Sequence, residues 1–503
     1  MKAILLMLQF KQLNYSKSLG TFIVLTLISL MMLSACGGGT SSQESDANGV
    51  VNISLTDAPG DFISYSVDVV SLTLTRANGS VVETLPTKTR IDFAQYTDMT
   101  EFLTAATVPS GLYVKGSMTL DFSNADIWVE DANANGVKVT NIIDSSGNPL
   151  TTIDMSVRLE DRNSLLIAPG IPMHLSLDFD LNASNTINFD DQGVVTQIVE
   201  PFLLAEVDVE SNKIQRLRGP LKSVNVAAEQ FQVYIRPFYH RILNGPRHFG
   251  AINVLTNDQT IFEIDGESYQ GQSGLQTLSE SSALTAVIVK GSLIFHPLRF
   301  EVNEVYAGSS VPGGTMDVVR GSVVARSGND VILRGATLLR ADGSVVFNDS
   351  VTVNLAESTI VKKQLSMDTH EISEISVGQR LTVFGTVTDN NLDNMTMDAS
   401  NGLTRMLMSQ LKGAVVTNDA TPAFDINLVS LNGRSISIYD FTGTGIDAAN
   451  DVDATNYEVD TASLDVSTIN TGTKVRIRGF TRPFGQAPKD FSANTIIVPQ
   501  QEQ

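Results

Sequence analysis

One cysteine, Cys36, occurs in the whole chain of 503 residues, which excludes an intramolecular disulfide and a cysteine-based zinc cluster. Basic residues are also scarce, because 34 Lys and Arg stand against 55 Asp and Glu and the net charge is -21. Binding to nucleic acid needs clustered cations that neutralise phosphates, so we expect no nucleic-acid partner. The sequence also lacks a P-loop, a dinucleotide-binding fingerprint, a nucleophile elbow and an H-E-x-x-H motif. None of the enzyme classes that these motifs mark is indicated.

The start of the chain contains three lysines and no acidic residue before an apolar run from Leu19 to Leu33. This order predicts a secretory signal peptide, since a membrane-spanning helix needs about 20 apolar residues and this run is shorter. The run ends in the residues LSAC, 33–36, which resemble the lipobox of bacterial lipoproteins. The resemblance implies lipidation of the Cys36 sulfur and cleavage before it, so that residues 1–35 form the lipoprotein signal peptide.

Residues 36–49 are rich in Gly and Ser and predict a flexible tether. Because several acyl chains anchor a protein stably, we expect the mature chain to be held at a membrane of the bacterial cell envelope. Gly37 rather than Asp follows Cys36. In the lipoproteins that this motif resembles, that residue indicates export to the outer membrane, with the body on the periplasmic or surface face.

Beyond the tether, apolar and polar residues alternate with a period of two, and Asn-Gly, Ser-Gly and Asp-Gly turn signals separate the segments. This pattern predicts an all-β protein, with helix expected only in short stretches such as residues 97–106. We expect a β-sandwich domain over residues 50–210, followed by three small β-barrel-like repeats over residues 216–310, 318–402 and 410–499.

The repeats are indicated by two recurring glycine motifs. The first is a basic residue, Gly and an apolar strand, at Gly219, Gly321 and Gly413. The second has an apolar-x-Gly order and recurs at intervals of 94 residues, at Gly291, Gly385 and Gly479. Gly inside a strand usually marks a bulge or a barrel corner, which favours one small closed barrel per unit.

Three motifs in the N-terminal half occur in the order of a known family: VNISLTDAP from residue 51, PSGLY from residue 109, and LSLDFD from residue 175 with Glu200-Pro201 after it. With them, the segment from Val50 to about Glu210 resembles the bacterial lipoprotein family called domain of unknown function 4382. The C-terminal repeats are similar to the family called domain of unknown function 5666, through glycine placement and hydrophobic pattern. Neither resemblance implies an established activity.

A first candidate site is the segment DANANG, which begins at Asp131 and matches the first six positions of a calcium-binding loop. Asp131, Asn133 and Asn135 would supply the oxygen ligands. The twelfth position is Ile142 where such a loop needs Glu, and the flanking residues predict strands. A plain hairpin turn explains the same residues, so both interpretations stay open.

A second candidate group consists of Asp57, Asp178 and Asp180. Asp57 follows a strand, where its carboxylate binds either a metal ion or loop amides. Asp178 and Asp180 alternate along a strand and therefore face the same side, where they recruit a cation or form a solvated face. These three acids are the possible metal ligands outside the DANANG segment, with calcium as the possible cofactor.

A third candidate is a basic and aromatic patch in an otherwise acidic chain, formed by Tyr234, Arg236, Tyr239, His240 and Arg241. Stacking and charge would let such a patch bind an anionic sugar or a partner protein. An exposed hairpin that packs against the next domain is the alternative.

From these observations we expect a non-catalytic binding or scaffold module for polysaccharide or for another envelope protein, held to the membrane by its lipid anchor. The alternative is a hydrolase acting on envelope or extracellular polymer through Asp57, Asp178 and Asp180, because paired acids cleave glycosides at a suitable separation. The sequence alone does not show that separation, and it identifies no catalytic residue.

Overall fold

A computed structural model describes residues 47–57, 62–97, 99–160, 164–208, 213–236, 249–392, 394–421 and 423–498. The predicted lipidation site Cys36 lies outside these residues. The all-β prediction is confirmed, since about 60% of the described residues are strand and about 8% are helix. The stretch expected to be helical around residues 97–106 forms a strand instead, because its apolar residues pair with neighbouring strands on both sides. None of the described helices is long and apolar enough to span a membrane.

The N-terminal module is a two-layer sandwich. Its elements are β1 (Asn48–Thr56), β2 (Phe62–Arg76), β3 (Val81–Glu83), β4 (Thr89–Asp92), β5 (Met99–Pro109), β6 (Gly111–Glu130), β7 (Gly136–Lys138), β8 (Asn141–Asp144), β9 (Thr152–Arg158), β10 (Leu165–Ile167), β11 (Met173–Phe179), α1 (Leu181–Ser184), β12 (Asn185–Phe189), β13 (Val195–Val199) and β14 (Leu203–Val207). One layer has the strand order β14-β11-β1-β5, and the other has the order β10-β6-β2-β3 with β4, β7 and β9 paired alongside. A small third sheet has the order β12-β13-β8.

Alternation of side chains explains how these two layers pack. Val51, Ile53 and Leu55 on β1 are fully or almost fully buried in the core. Tyr65 of one layer contacts Phe179 of the other edge to face, with ring centroids 5.8 Å apart. The opposite face of β1 and β11 carries polar residues, and this face is where the functional candidates of the sandwich lie.

The rest of the chain forms three barrels. Barrel 1 contains β15 (Ile214–Asn225), β16 (Gln230–Tyr234), β17 (Ala251–Leu255), β18 (Ile261–Ile264), β19 (Glu267–Gln270), α2 (Gly271–Ser279), β20 (Ala286–Ile294) and β21 (Arg299–Ala307). Barrel 2 contains β22 (Asp317–Ser327), β23 (Asp330–Leu339), β24 (Val345–Asn354), β25 (Ile360–Lys363), β26 (Arg380–Asp389) and β27 (Met395–Leu407). Barrel 3 contains β28 (Ser409–Thr421), β29 (Ala423–Leu431), β30 (Arg434–Ser435), β31 (Tyr457–Asp460), β32 (Lys474–Thr481) and β33 (Phe491–Ile497).

Each barrel closes through five strands in the same order. In barrel 1, β15 pairs with β16, β16 with β17, β17 with β21, β21 with β20, and β20 again with β15. The corresponding rings are β22-β23-β24-β27-β26 and β28-β29-β31-β33-β32. In all three rings one pair of neighbours is parallel (β17–β21, β24–β27 and β31–β33) and the other neighbours are antiparallel. This closure is that of the OB-fold, a small Greek-key barrel.

The repeated glycines lie where a barrel strand bends. Gly291, Gly385 and Gly479 lie on β20, β26 and β32, next to a shift in the pairing register of each strand. A Cβ atom at Gly291 or Gly479 would lie 2.0 Å from a carbonyl oxygen of the neighbouring strand. The period of the sequence repeat therefore reflects a close backbone approach that only glycine permits.

The described residues from Asn48 onward form one compact unit, in which the sandwich and barrel 1 share one core. Strand β5 of the sandwich pairs in parallel with β15 of barrel 1, so that one sheet runs through both modules. One continuous core extends from Val51 to Ala307, whereas barrels 2 and 3 have their own cores. Barrel 2 also contacts the sandwich directly, since the rings of Trp128 and Phe347 lie 4.9 Å apart.

Candidate functional site

The predicted calcium loop is a hairpin turn between β6 and β7. Asp131 Oδ1 accepts hydrogen bonds from the backbone N–H groups of Asn133 and Asn135, both at 2.8 Å, and Asn135 also donates to Oδ2 at 3.3 Å. These bonds, chiefly that of the Asn135 N–H, lower the pKa of Asp131. The carboxylate therefore stabilises the turn in the way the hairpin interpretation describes. In the described part of the chain, no group of three or more His, Cys, Asp or Glu side chains is placed to hold a metal ion.

The same turn contacts barrels 2 and 3. The N–H of Gly136 donates to Asp349 of barrel 2 at 3.2 Å. Arg434 of barrel 3 reaches the carboxylate of Glu130 at 3.3 Å and the carbonyl of Ala134 at 3.4 Å. The turn is thus a contact point between modules, which a motif search over adjacent residues cannot detect.

The second candidate group lies where β1 and β11 end, since Asp57 follows Thr56 and Thr56 pairs with Asp178. The side chain of Asp57 is fully buried, and its Oδ1 accepts a hydrogen bond from the N–H of Leu181 at 3.1 Å. Its Oδ2 has no hydrogen-bond partner among the described residues. Burial raises the pKa of Asp57 to about 8, the Leu181 bond opposes this effect, and the nearby Asp178 adds to it. Asp57 is therefore largely protonated at neutral pH.

The other two acids of this group have different roles. Asp178 lines a cavity of about 140 Å³, together with His174, Lys213 and Gln215. The Nζ atom of Lys213 donates to Thr56 Oγ1 at 2.7 Å and to the Asp57 carbonyl at 2.6 Å. Asp180 instead caps α1, because it accepts a hydrogen bond from the Ala183 N–H at 2.9 Å. The structure thus brings Asp57 and Asp178 close together and uses Asp180 mainly for local structure.

His174 is a residue of this cavity that sequence reasoning missed. It is 3% exposed, its Nε2 lies 2.7 Å from Ser54 Oγ, and its Nδ1 has no partner among the described residues. Burial lowers its pKa to about 4, so the ring is neutral. His174 alternates with Ser176 and Asp178 along β11, and this period-two pattern would have placed it on the same face. At about 140 Å³ the cavity is smaller than the ~300–1,000 Å³ of typical ligand pockets, as is the groove described next.

A larger opening lies between barrels 1 and 2, and we call it the junction groove. It has a volume of about 230 Å³, and its walls are mostly aliphatic, from Leu284 to Ile288 of barrel 1 and from Val311, Pro312 and Leu339. Two cations, Arg218 and Arg236, also line it. The Nε atom of Arg236 is buried and has no hydrogen-bond partner among the described residues.

Next to the groove is a smaller space of about 70 Å³, which we call the inner chamber. Arg218, Ile288, Pro312 and Leu339 line both spaces, so the two are adjacent. Four further cations, from the two barrels, line the inner chamber: Arg216, Lys290, Arg320 and Arg405. In a chain with a net charge of -21, this concentration of positive charge is exceptional.

Carboxylates from other modules hold most of these cations. Glu101 of the sandwich is 1% exposed and pairs with Arg216 at 2.6 Å and with Arg218 Nη2 at 2.9 Å. Burial opposes the ionisation of Glu101, but the two arginines outweigh it and lower its pKa. In the same way Glu263 of barrel 1 pairs with Arg405 of barrel 2 at 2.9 Å, whereas Glu304 pairs with Lys290 of its own barrel at 2.9 Å. These buried pairs connect the sandwich, barrel 1 and barrel 2 at one point.

The predicted basic and aromatic patch is divided by the structure. Arg236 lines the junction groove, and its backbone N–H donates to the Arg218 carbonyl at 2.8 Å. Tyr234 lies at the end of β16, with Lys222 Nζ 5.4 Å from the centre of its ring. Tyr239, His240 and Arg241 lie outside the described residues.

The described residues thus form an all-β protein in which a sandwich and three OB-type barrels belong to one compact unit. Cationic side chains from barrels 1 and 2 line the space between these two barrels. Residues 48–196 match the family described as "Domain of unknown function (DUF4382)". This match confirms the predicted resemblance for the N-terminal part of the chain. A search of curated proteins finds none that matches.

Proposed function

We propose that this chain is a lipid-anchored protein of the bacterial cell envelope that binds a polysaccharide or another envelope protein without catalysis. The observation that carries the proposal is the junction groove, where an aliphatic wall and two arginines meet at a contact between rigid barrels. Concave, mainly apolar sites with a few placed polar groups are typical of ligand binding. OB-type barrels commonly serve as binding modules, although the fold alone does not define a ligand.

Two observations argue against the hydrolase alternative. Asp178 lines a cavity of about 140 Å³, and Asp57 is fully buried with its Oδ1 bound to the Leu181 N–H, whereas a glycosidase must place two carboxylates on either side of a sugar chain. Asp180 is occupied as the cap of α1. The raised pKa of Asp57 is explained by burial and does not by itself require a catalytic role.

The binding proposal is tested with a soluble mature form incubated with isolated envelope fragments and with purified polysaccharides. We expect cosedimentation, and we expect Leu284→Asn to weaken it severalfold, since Leu284 is 61% exposed at the groove. Asn tolerates the positive φ of this position. Val429→Thr, at a residue of barrel 3 that is 68% exposed, is the matched control and should bind like the wild type.

Two results would contradict this proposal. Equal binding by the Leu284→Asn variant would place the binding surface elsewhere. A decrease in polymer size after incubation, measured by size-exclusion chromatography, would favour the hydrolase instead.

The anchor is tested separately through Cys36. Replacing Cys36 by Ser removes the thiol that lipidation needs, so we expect the protein to move from washed membranes into the soluble fraction. The measurement is fractionation followed by immunoblotting, with Ser34→Thr as a control that keeps the thiol. Retention of the Cys36→Ser variant in washed membranes would show that another contact is the main tether.

A further inference from the structure

Exposed apolar side chains gather at one end of the sandwich, the end at which β1 begins. They are Val50, Val81, Leu112, Leu166 and Ile171, and we call them the end patch. Apolar residues scattered singly over a surface need no explanation, whereas a group at one place marks contact with a partner or with a membrane. The question is therefore what covers this end of the sandwich.

Strand pairing brings three members of the end patch together in the second layer. Leu112, at the start of β6, lies directly opposite Leu166 of β10. The carbonyl of Leu112 accepts a hydrogen bond from the N–H of Ala77 at 2.8 Å. Ala77 belongs to the turn between β2 and β3, and Val81 is the first residue of β3. All three apolar side chains thus come from the same end of this layer.

The other two members join the first layer to this end. A Cβ atom on Gly49 of β1 would lie 2.5 Å from a methyl carbon of Ile167 on β10, so the start of β1 touches the second layer. Val50 and Ile171 line a groove of about 350 Å³ that continues onto Leu298 of barrel 1. The apolar surface therefore extends across both layers and reaches the first barrel.

The end patch lies where the predicted tether joins the sandwich. Strand β1 begins at Asn48, 12 residues after Cys36. A chain of this length spans at most about 40 Å, and as a flexible coil about 20 Å on average. A lipid on Cys36 would therefore keep this end of the sandwich close to the bilayer.

Barrels 2 and 3 contact the opposite end of the sandwich. Glu130, the last residue of β6, pairs with Arg434 of barrel 3, and Trp128 contacts Phe347 of barrel 2. The 20 residues of β6 correspond to about 60 Å of extended strand. This length exceeds the reach of the tether, so the tether favours the end patch over the barrel end as the surface that meets lipid.

Exposed cations flank the end patch. Lys115 and Arg158 lie opposite each other on β6 and β9, and Arg299 lines the groove beside Val50. The exposed acid Glu160 is close to Arg158 in the chain. The three cations are placed to meet lipid phosphate groups, which would offset the repulsion between an acidic protein and an anionic membrane.

Resting on the lipid anchor of the proposed function, we propose that the end patch is a membrane-contact surface that lies on the phospholipid bilayer. Leu112 and Leu166 enter the boundary between headgroups and acyl chains, while Lys115 and Arg158 contact phosphates. The sandwich thereby stands on the membrane, with barrels 2 and 3 directed away from it.

The test replaces the acyl anchor by a hexahistidine tag in front of Gly37, which binds nickel-chelating lipid in phosphatidylcholine–phosphatidylglycerol vesicles. The tether keeps its length, and without Cys36 the chain has no thiol, so that single cysteines can be labelled. Fluorophores on Leu166→Cys and Val81→Cys should be quenched by nitroxide-labelled phospholipid severalfold more strongly than one on Val429→Cys. Val429 is the matched control, since it is equally exposed but lies on barrel 3.

A second measurement removes the tether. The untagged mature protein should cosediment with the same vesicles, and the double variant Leu112→Thr with Leu166→Thr should bind about tenfold more weakly, because two aliphatic side chains no longer leave water. Val429→Thr should bind like the wild type. This binding is lost on washing, in agreement with the release expected for Cys36→Ser.

Three results would overturn the inference. Quenching at Leu166 and Val81 no stronger than at Val429 is the first, and unchanged vesicle binding by the double variant is the second. The third is shielding of the Leu166 label from iodide by solubilised envelope protein without quenching by lipid, which would assign the end patch to a protein partner. Because the tag replaces the acyl chains, none of these results depends on lipidation, and fractionation of Cys36→Ser tests the anchor alone.

Discussion

Replacing Glu101 by Gln is expected to lower the free energy of unfolding by about 3–5 kcal/mol, because two buried arginines then lose their counter-charge. Glu101 lies on β5 of the sandwich, whereas Arg216 and Arg218 lie on β15 of barrel 1. These three side chains are buried at the point where one sheet continues from the sandwich into barrel 1. The shared core makes both modules unfold together, so the loss should appear in the unfolding of the sandwich as well.

The measurement is urea unfolding at neutral pH, followed by the fluorescence of Trp128, the one tryptophan in the chain. Glu267→Gln, at an exposed acid on β19, is the matched control and should change stability by less than about 0.5 kcal/mol. The double variant with Arg218→Gln should lose less than the two single variants added together, because they remove the same ion pair. A Glu101→Gln variant as stable as the control would show that the pair is not important for the junction.

Replacing Asp57 by Asn is expected to make the protein more stable at high pH relative to the wild type. The pKa of Asp57 is 3.8 in the unfolded chain and about 8 in the folded protein, mainly through burial. Between these pH values the folded state binds a proton that the unfolded state has released, so stability falls as pH rises. Each pH unit costs about 1.4 kcal/mol, which amounts to about 6 kcal/mol across the window.

Asn at this position keeps an oxygen that accepts the Leu181 hydrogen bond and cannot ionise. The stability of the variant minus that of the wild type should therefore increase by about 1.4 kcal/mol per pH unit between pH 4 and pH 8. Taking the difference removes the contributions of other shifted acids, such as Asp490, whose pKa burial raises to about 7. Denaturant unfolding at several pH values measures this slope, with Asp191→Asn as a control at an exposed acid. A difference that does not change with pH would show that Asp57 is already ionised in the folded protein.

The strand pattern and the repeat were predictable because both are local. Alternation of apolar and polar residues follows from the geometry of a strand, and the glycine period follows from a bulge that each barrel must contain. The conformation of the DANANG segment is also determined locally, since the carboxylate of Asp131 and the amides it binds lie within four residues of one another. The interpretation of this segment as a turn needed no knowledge of the rest of the chain.

The candidate site was predictable only in fragments. Arg236 was identified as part of a basic patch, but its neighbours in the groove, from Leu284 to Leu339, are far from it in the chain. Glu101 and Arg216 are separated by 115 residues, and neither stands out from its neighbours in the sequence. Likewise His174 has no motif around it, and only the packing of Phe102 and Phe295 on its ring explains its burial.

By itself, the sequence determined the all-β class, the three repeated barrels, the turn at Asp131 and the resemblance of residues 48–196 to an uncharacterised family. Only the tertiary structure decided that the sandwich and barrel 1 share one sheet, and that arginines from two barrels converge on one chamber. The reason is that periodicity and turn chemistry act between residues a few positions apart. Contacts between modules depend instead on which faces meet, and a strand pattern does not encode the partner of an exposed polar face.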